Sequence, residues 1–297
     1  MEAIKPNSFQ AWILAARPKT LAGAATPVMI GCSLAYCDGK FQWIPALICL
    51  LFAFLMQILA NFINDLYDFL KGTDREDRLG PERACAKGWI SANAMKKGII
   101  LTLIMACLLG LMLVFYAGWE LIPVGFICVL FAFFYTTGPY PLSYHGWGDI
   151  LVLVFFGFVP VGFTYYVQAH TWTTDVTIAS LVCGLVVDTL LVVNNYRDRE
   201  ADRKSGKKTV IVRFGAAFGS RMYLLLGFFA AGLCLSFAFE GLLWAALLPQ
   251  LFIFPHYFTW KKMIKIHSGR ELNAVLGETS RNMLWMGILL SLGFILG

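Results

Sequence analysis

Charge is what this sequence has least of. Asp, Glu, Lys and Arg make up 14% of its 297 residues, against 59% hydrophobic and a mean hydropathy of +0.68. A soluble domain carries about 25% charged residues, so this chain lacks the polar surface to face water all round. Its apolar residues fall into repeated runs of bilayer-crossing length, roughly 20 residues each, which one large soluble core does not explain. Disulfide and zinc spacings are also missing. Eight cysteines are present without a Cys-x-x-Cys pair, and Cys32, Cys49, Cys107, Cys128, Cys183 and Cys234 lie inside apolar runs, where they read as small buried hydrophobes. His145, His170, His256 and His267 are scattered without ligand spacing. The N-terminus lacks the charged, then apolar, then small-residue order of a cleaved signal peptide.

Nine candidate spans are read at about 20–37, 42–63, 98–118, 121–137, 149–168, 176–195, 221–239, 241–259 and 282–297. In lipid every backbone polar group must be satisfied, and runs of this length select helices over barrel strands. The expected fold is therefore all-α, one multi-span integral membrane domain over residues 1–297. The basic residues support that count. Of 24 Lys and Arg, 23 fall in the N-terminal segment, the 64–97 loop, the 196–221 loop and the 260–281 segment. Lys40 alone lies in a loop on the other side. By the positive-inside rule, those basic segments and the 138–148 loop are expected to be cytoplasmic and the C-terminus outside, in the inner (plasma) membrane. The net charge of +6 suits an anionic leaflet and a phosphate-bearing substrate. Nucleic acid is a poor partner, because the cations are tied to loops beside spans.

Two polar groups sit where spans reach the basic side. The first is Asn61-Phe-Ile-Asn64-Asp65-Leu-Tyr-Asp68, continuing through Gly72 and Asp74 to Arg75, Arg78, Gly80-Pro81 and Arg83. The second is Asp188, then Asn194-Asn195-Tyr196-Arg197-Asp198, with Asp202, Gly206, Lys207, Lys208 and Thr209. On a helix, Asn64 and Asp68 share a face, and Asn194, Asp198 and Asp202 repeat that spacing over two turns. Oxygen donors without His or Cys suit Mg²⁺, which commonly joins one or two carboxylates to substrate phosphates. Interleaved Lys and Arg can bind the remaining phosphate oxygens, and metal and cations together stabilise a departing diphosphate. Taken singly, either group could also be helix-end residues capping or facing water. Polar residues at membrane depth are costly and usually functional, and a pattern that occurs twice on one side implies a weak internal repeat of two helix sets.

These residues resemble the two signatures of the UbiA-type intramembrane prenyltransferases. The first, Asn-x-x-x-Asp-x-x-x-Asp, matches Asn64 and Asp68; its third position falls on Gly72, with Asp74 two residues later as a substitute. The second, Asp-x-x-x-Asp followed by Gly, matches Asp198, Asp202 and Gly206. Arg17-Pro18-Lys19-Thr20-Leu21, Pro27, Gly31 and Tyr135-Thr-Thr-Gly-Pro-Tyr140-Pro141 extend the likeness over essentially the whole chain. Gly80-Pro81-x-Arg83, Gly138-Pro139-Tyr140-Pro141, Asn194-Asn195-Tyr196-Arg197-Asp198 and Gly206-Lys207-Lys208-Thr209 resemble the branch acting on 1,4-dihydroxy-2-naphthoate in menaquinone synthesis.

The resemblance implies an enzyme that moves a polyprenyl group from polyprenyl diphosphate to the naphthoate with loss of CO₂ and diphosphate, giving demethylmenaquinone. Mg²⁺ would be held by Asn64, Asp68, Asp74, Asn194, Asp198 and Asp202. Asp68, Asp198, Asp202 and Asp188 are the candidate catalytic acids, Asp188 orienting acceptor hydroxyls, acting as a base, or making a structural hydrogen bond. Arg17, Asp65, Arg75, Arg78, Tyr135, Tyr140, Asn195, Arg197, Lys207 and Lys208 are the candidate substrate contacts. Tyr135, Tyr140 and Tyr196 could wall a carbocation or anchor the chain at the interface. Two rival readings stand beside this one: another acceptor, such as 4-hydroxybenzoate or homogentisate, and a secondary transporter, which would place its acids near mid-span.

Overall fold

The computed structural model describes residues 4–72 and 79–297, and every regular element among them is helical. Asp74, Arg75 and Arg78 lie outside the described residues. Helix α1 (Phe9–Ala16) starts where the Ser8 side chain accepts the Ala11 amide, as N-cap hydroxyls do. A short 3-10 turn, Pro18–Thr20, leads into α2 (Leu21–Cys37). Next come α3 (Trp43–Leu70), α4 (Ala92–Ala117), started by Ser91, and α5 (Leu121–Phe134). Helix α6 (Gly148–Ala169) contains a π-helical stretch, Leu153–Gly162. Pro160 lies in that stretch and has no N–H to give, which favours the wider turn.

Helix α7 (Thr174–Lys204) is capped by Thr173 and followed by the short α8 (Val210–Phe214) and by α9 (Ala216–Glu240). The 3-10 turn Leu248–Phe252, with Pro249 in its first turn, separates α10 (Leu243–Leu247) from α11 (Ile253–Ile266). Helix α12 (Leu272–Leu296) closes the chain.

Seven units among the described residues are long and apolar enough to cross a membrane, α1 and α2 counting as one. The nine ranges read from the sequence all fall on helical elements, but α5 is short and the α10–α11 stretch is interrupted, so the full-length count is seven. Two ends also differ from expectation. Helix α3 runs on to Leu70 and α7 to Lys204, which puts both Asn/Asp columns inside helices.

The exterior is apolar. Trp43, Phe115, Trp119 and Phe239 are 77–91% exposed at the ends of α3, α4 and α9 remote from the Asn/Asp columns. Aromatic side chains in that position form a membrane-interface belt. The chain is a multi-pass membrane protein.

Helix α7 is the central post, with 72% of its apolar window buried, the largest share of the seven. It lies against α6 so closely that a Cβ on Gly157 would fall 2.5 Å from the Ser180 carbonyl, and one on Gly184 3.0 Å from the Leu153 Cα. Only glycine admits that approach of two backbones, as small residues do between membrane helices. Gly157→Val is expected to lower stability by about 3 kcal/mol, the upper range for overpacking. Thermal melts in detergent should show this loss, while Gly232→Ala, where a Cβ meets nothing within 4 Å, should melt no lower than wild type.

Candidate active site

The two polar columns end at the same face of the bundle, because α3 and α7 run in the same direction and carry them in their last turns. Four connections join these ends. Asn64 from α3 and Asn194 from α7 line one cavity. The Tyr135 hydroxyl, at the end of α5, lies within electrostatic range of Asp68 and Asp202 as well as Asp149 and Asp188. Lys71, just after α3, and Lys207, just after α7, both stand over the Tyr144 ring, at 5.1 and 5.0 Å from its centroid. Asn273, in the first turn of α12, accepts from Arg197 Nη1 (2.8 Å) and donates to the Leu79 carbonyl (2.8 Å). That residue ties the second column to the loop that follows the first.

Asp65, Asp68, Asp198 and Asp202 each have a partner of their own. Asp68 pairs with Arg83 at 3.1 Å, the two side chains only 10% and 7% exposed. Asp198 takes a two-pronged contact from Arg197, Nε at 2.8 Å and Nη2 at 2.6 Å. Asp202 lies 3.6 Å from Lys207. Asp65, expected among the substrate contacts, is fully buried and accepts the Ala84 and Cys85 amides at 2.9 and 2.8 Å. Both its oxygens are thus committed to folding the 79–90 loop onto α3, which carries Arg83 to Asp68. Asp188 is 1% exposed, and its Oδ1 has no hydrogen-bond partner among the described residues.

The cavity measures about 1430 Å³, above the roughly 300–1,000 Å³ of ordinary small-molecule pockets. Arg17, Lys19, Asn61, Asn64, Arg83, Tyr135, Asn194, Arg270 and Asn273 make one end polar. Phe52, Met56, Leu113, Phe131, Phe155, Phe163 and Val167 make the rest apolar. It follows α5 from Leu121 to Tyr135, a depth of about 21 Å at 1.5 Å per residue. Arg17 reaches it from a left-handed backbone (φ 54°) between α1 and the Pro18 turn. Asn61 holds that junction by donating to the Ala16 carbonyl (2.9 Å) and the Thr20 hydroxyl (3.0 Å). Left-handed backbone at a non-glycine residue costs on the order of 1–3 kcal/mol and clusters at functional sites.

Sequence-read residues divide accordingly. Asn64, Asn194, Arg17 and Tyr135 line the cavity, while Arg83 and Asn273, which line it too, stand against Asp68 and against the Arg197–Asp198 pair. Asp65, Asp68, Asp188, Asn195, Arg197, Asp198, Asp202, Lys207 and Lys208 do not line it; the Lys208 amide instead donates to the Tyr144 carbonyl at 2.7 Å. Tyr140 is exposed and stacked on His145 (3.5 Å between ring centroids), and Tyr196 is buried against Arg199. Neither ring walls the cavity. Sequence reading placed Asn61 in the first polar group without a role and passed over Lys71, Tyr144 and Asn273. Only Asn61 had a local signal, one turn before Asn64; the other three act through contacts distant in sequence.

Among the described residues no three His, Cys, Asp or Glu side chains form a preformed metal cage. Mg²⁺ is usually held by one or two carboxylates with substrate phosphates completing its shell. The oxygen-only donor set at Asn64, Asp68, Asn194, Asp198 and Asp202 fits such an ion chemically.

The model of the UbiA prenyltransferase family matches residues 24–295. A 1,4-dihydroxy-2-naphthoate octaprenyltransferase of Haemophilus influenzae is 37% identical over 98% of this chain and 97% of its own length. The enzyme of the same description from Escherichia coli is 42% identical over 73% of each chain. A UbiA homolog from Archaeoglobus fulgidus, solved bound to GPP and Mg²⁺, superposes with a TM-score of 0.67 at 14% identity, covering 95% of this chain and 99% of that one. At that identity the likeness concerns the fold.

Asp65→Ala should destabilise the protein by at least about 3 kcal/mol, the loss of two charge-assisted hydrogen bonds of 1.5–3 kcal/mol each. Limited proteolysis within residues 79–90 should accelerate in step with a lower melting temperature. Asp65→Asn, which keeps one acceptor, should lose less.

Proposed function

The chain belongs to the UbiA prenyltransferase family, and from that premise we propose that it transfers a polyprenyl group from polyprenyl diphosphate to 1,4-dihydroxy-2-naphthoate. The whole of residues 1–297 acts as one catalytic domain in the inner membrane, with the polar cavity end at the cytoplasmic side. One observation carries this reading. A single cavity joins a polar end set between the two Asn/Asp columns to an apolar shaft about 21 Å deep, the shape of a diphosphate head with a long hydrocarbon tail. The named activity of the two bacterial relatives supports the acceptor.

Bound Mg²⁺ would supply charge stabilisation to the departing diphosphate, held by Asn64, Asp68, Asn194, Asp198 and Asp202. The chain's own cations do the rest of the binding. Arg83, Arg17 and Lys207 stand at the same end and can take phosphate oxygens; Arg197 stays behind them, orienting Asp198. The allylic C–O bond breaks and its electron pair leaves with the diphosphate. The apolar walls, Phe131 and Phe155 among them (ring centroids 5.2 Å apart), exclude water from the carbocation and offer it aromatic faces. The ring carbon bearing the carboxylate attacks, forming the new C–C bond. The bond to that carboxylate then breaks, releasing CO₂ and returning its electron pair to the ring. No ring proton is lost, so Asp188 and Tyr135 serve to orient the acceptor hydroxyls.

Asp68, Asp198 and Asp202 sit in the last turns of α3 and α7, not at mid-span where a transporter would place its acids; Asp188 alone lies at the middle of its helix. Purified protein given a polyprenyl diphosphate, Mg²⁺ and labelled naphthoate is expected to form prenylated product, and 4-hydroxybenzoate is expected to form none. Asp68→Asn and Asp198→Asn should each lower turnover by about 10²–10³-fold, the scale of one removed electrostatic contact at a transition state. Turnover that survives both substitutions contradicts the reading.

A further inference from the structure

The apolar shaft has a floor. Val28 of α2, Cys49 of α3, Leu113 of α4, Leu121 of α5 and Val167 of α6 all line the cavity, and each is 1–8% exposed. They belong to one buried cluster, in which Ile48 and Ala117 stand off the cavity wall. Next to the floor the Tyr166 hydroxyl donates to Glu120 Oε1 at 2.7 Å, fastening α6 to the start of α5. Five helices thus close the end of the shaft remote from the Asn/Asp columns.

The length above that floor follows from two walls. Along α5 the lining runs from Tyr135 to Leu121, about 21 Å, and along α3 from Asn64 to Cys49, about 22 Å, at 1.5 Å per residue. Each prenyl unit adds four main-chain carbon–carbon bonds. Three main-chain bonds of an extended polypeptide span roughly 3.5 Å, so one prenyl unit takes about 4.5 Å and the shaft seats about four in a straight run.

One wall position is bare at the depth of the fourth unit. Gly125 lies ten residues before Tyr135 on α5, about 15 Å down the shaft. It lines the cavity, and a Cβ there would meet nothing within 4 Å. At Gly110 of α4, by contrast, a Cβ would come 3.3 Å from the Phe52 ring. Neither packing nor backbone calls for glycine at 125, since its φ is not in the left-handed region. Glycine inside a helix is destabilising, so what its presence gains here is open space in the cavity.

We propose that Gly125 is a specificity-determining residue for tail length: its missing side chain admits the fourth prenyl unit, and the floor ends the straight run there. The proposal rests on the reading of the cavity as one that takes a prenyl diphosphate, and deepens it by assigning how much of the tail the shaft reads. Units beyond the fourth lie outside the shaft, so these walls do not select among them.

The test is calorimetric titration of the purified protein in lipid nanodiscs with Mg²⁺ and two non-hydrolysable prenyl diphosphate analogues, one of two units and one of four. Two units end about 9 Å down the shaft, short of Gly125. Gly125→Trp should leave affinity for the two-unit analogue within about twofold of wild type and weaken the four-unit analogue about tenfold or more, the scale of overpacking. Gly125→Leu should move the ratio of the two affinities in the same direction by less, and it carries the test if Gly125→Trp melts early. A wild-type ratio in both variants, or an equal loss with both analogues, overturns the proposal. A shifted ratio in a protein that prenylates no naphthoate supports it and sinks only the acceptor reading. Wild-type protein that binds neither analogue sinks the prenyl diphosphate reading and this proposal with it.

Discussion

A carboxylate at membrane depth must have a partner, and the charged end of this bundle is arranged around that requirement. An ion removed from water without compensation costs several kcal/mol, and breaking a buried pair costs about 3–5 kcal/mol. Asp68 answers with Arg83, Asp198 with Arg197 and Asp202 with Lys207. Those pairings dictate the loops. Arg83 reaches Asp68 because Asp65 folds the 79–90 segment onto α3, and Arg197 is aimed by Asn273 on α12. Cations placed to neutralise acids also stand where the oxygens of a diphosphate would need them. Were Mg²⁺ held by these carboxylates, it would neutralise them, and Arg83 and Lys207 would then be released to phosphate oxygens without leaving either sign buried alone.

The apolar shaft depends on the same scaffold. Gly157 and Gly184 let α6 and α7 touch along their backbones, which holds α7 as a central post. The π-helical stretch around Pro160 then presents Phe155, Phe156 and Val159 to the cavity. Close packing on one side of α6 and open space on the other give the tail a channel while the head group meets fixed charges.

Much of this was legible in the sequence because the signals are local. Apolar runs marked the spans, Lys and Arg marked one set of loops, and four-residue spacing marked the faces of α3 and α7. Helix ends were less legible: α3 continues beyond its apolar run to Leu70, where Asp65 and Asp68 find their partners in the 79–90 loop. Roles that depend on which loop folds where escaped altogether. Asp65 reads as a substrate contact but accepts the Ala84 and Cys85 amides. Tyr140 and Tyr196 read as cavity walls or interface anchors and do not line the cavity, and Lys71, Tyr144 and Asn273 gain meaning only when distant segments meet.

In the proposed reaction the ends of α3 and α7 grip one diphosphate between them. A structure with a non-reactive prenyl diphosphate analogue and Mg²⁺ tests it most directly. Metal density is expected between Asp68 and Asp198 or Asp202, phosphate oxygens against Arg83 and Lys207, and the tail along α5 toward Leu121. A head group bound to one column alone, or anywhere outside this cavity, would contradict it.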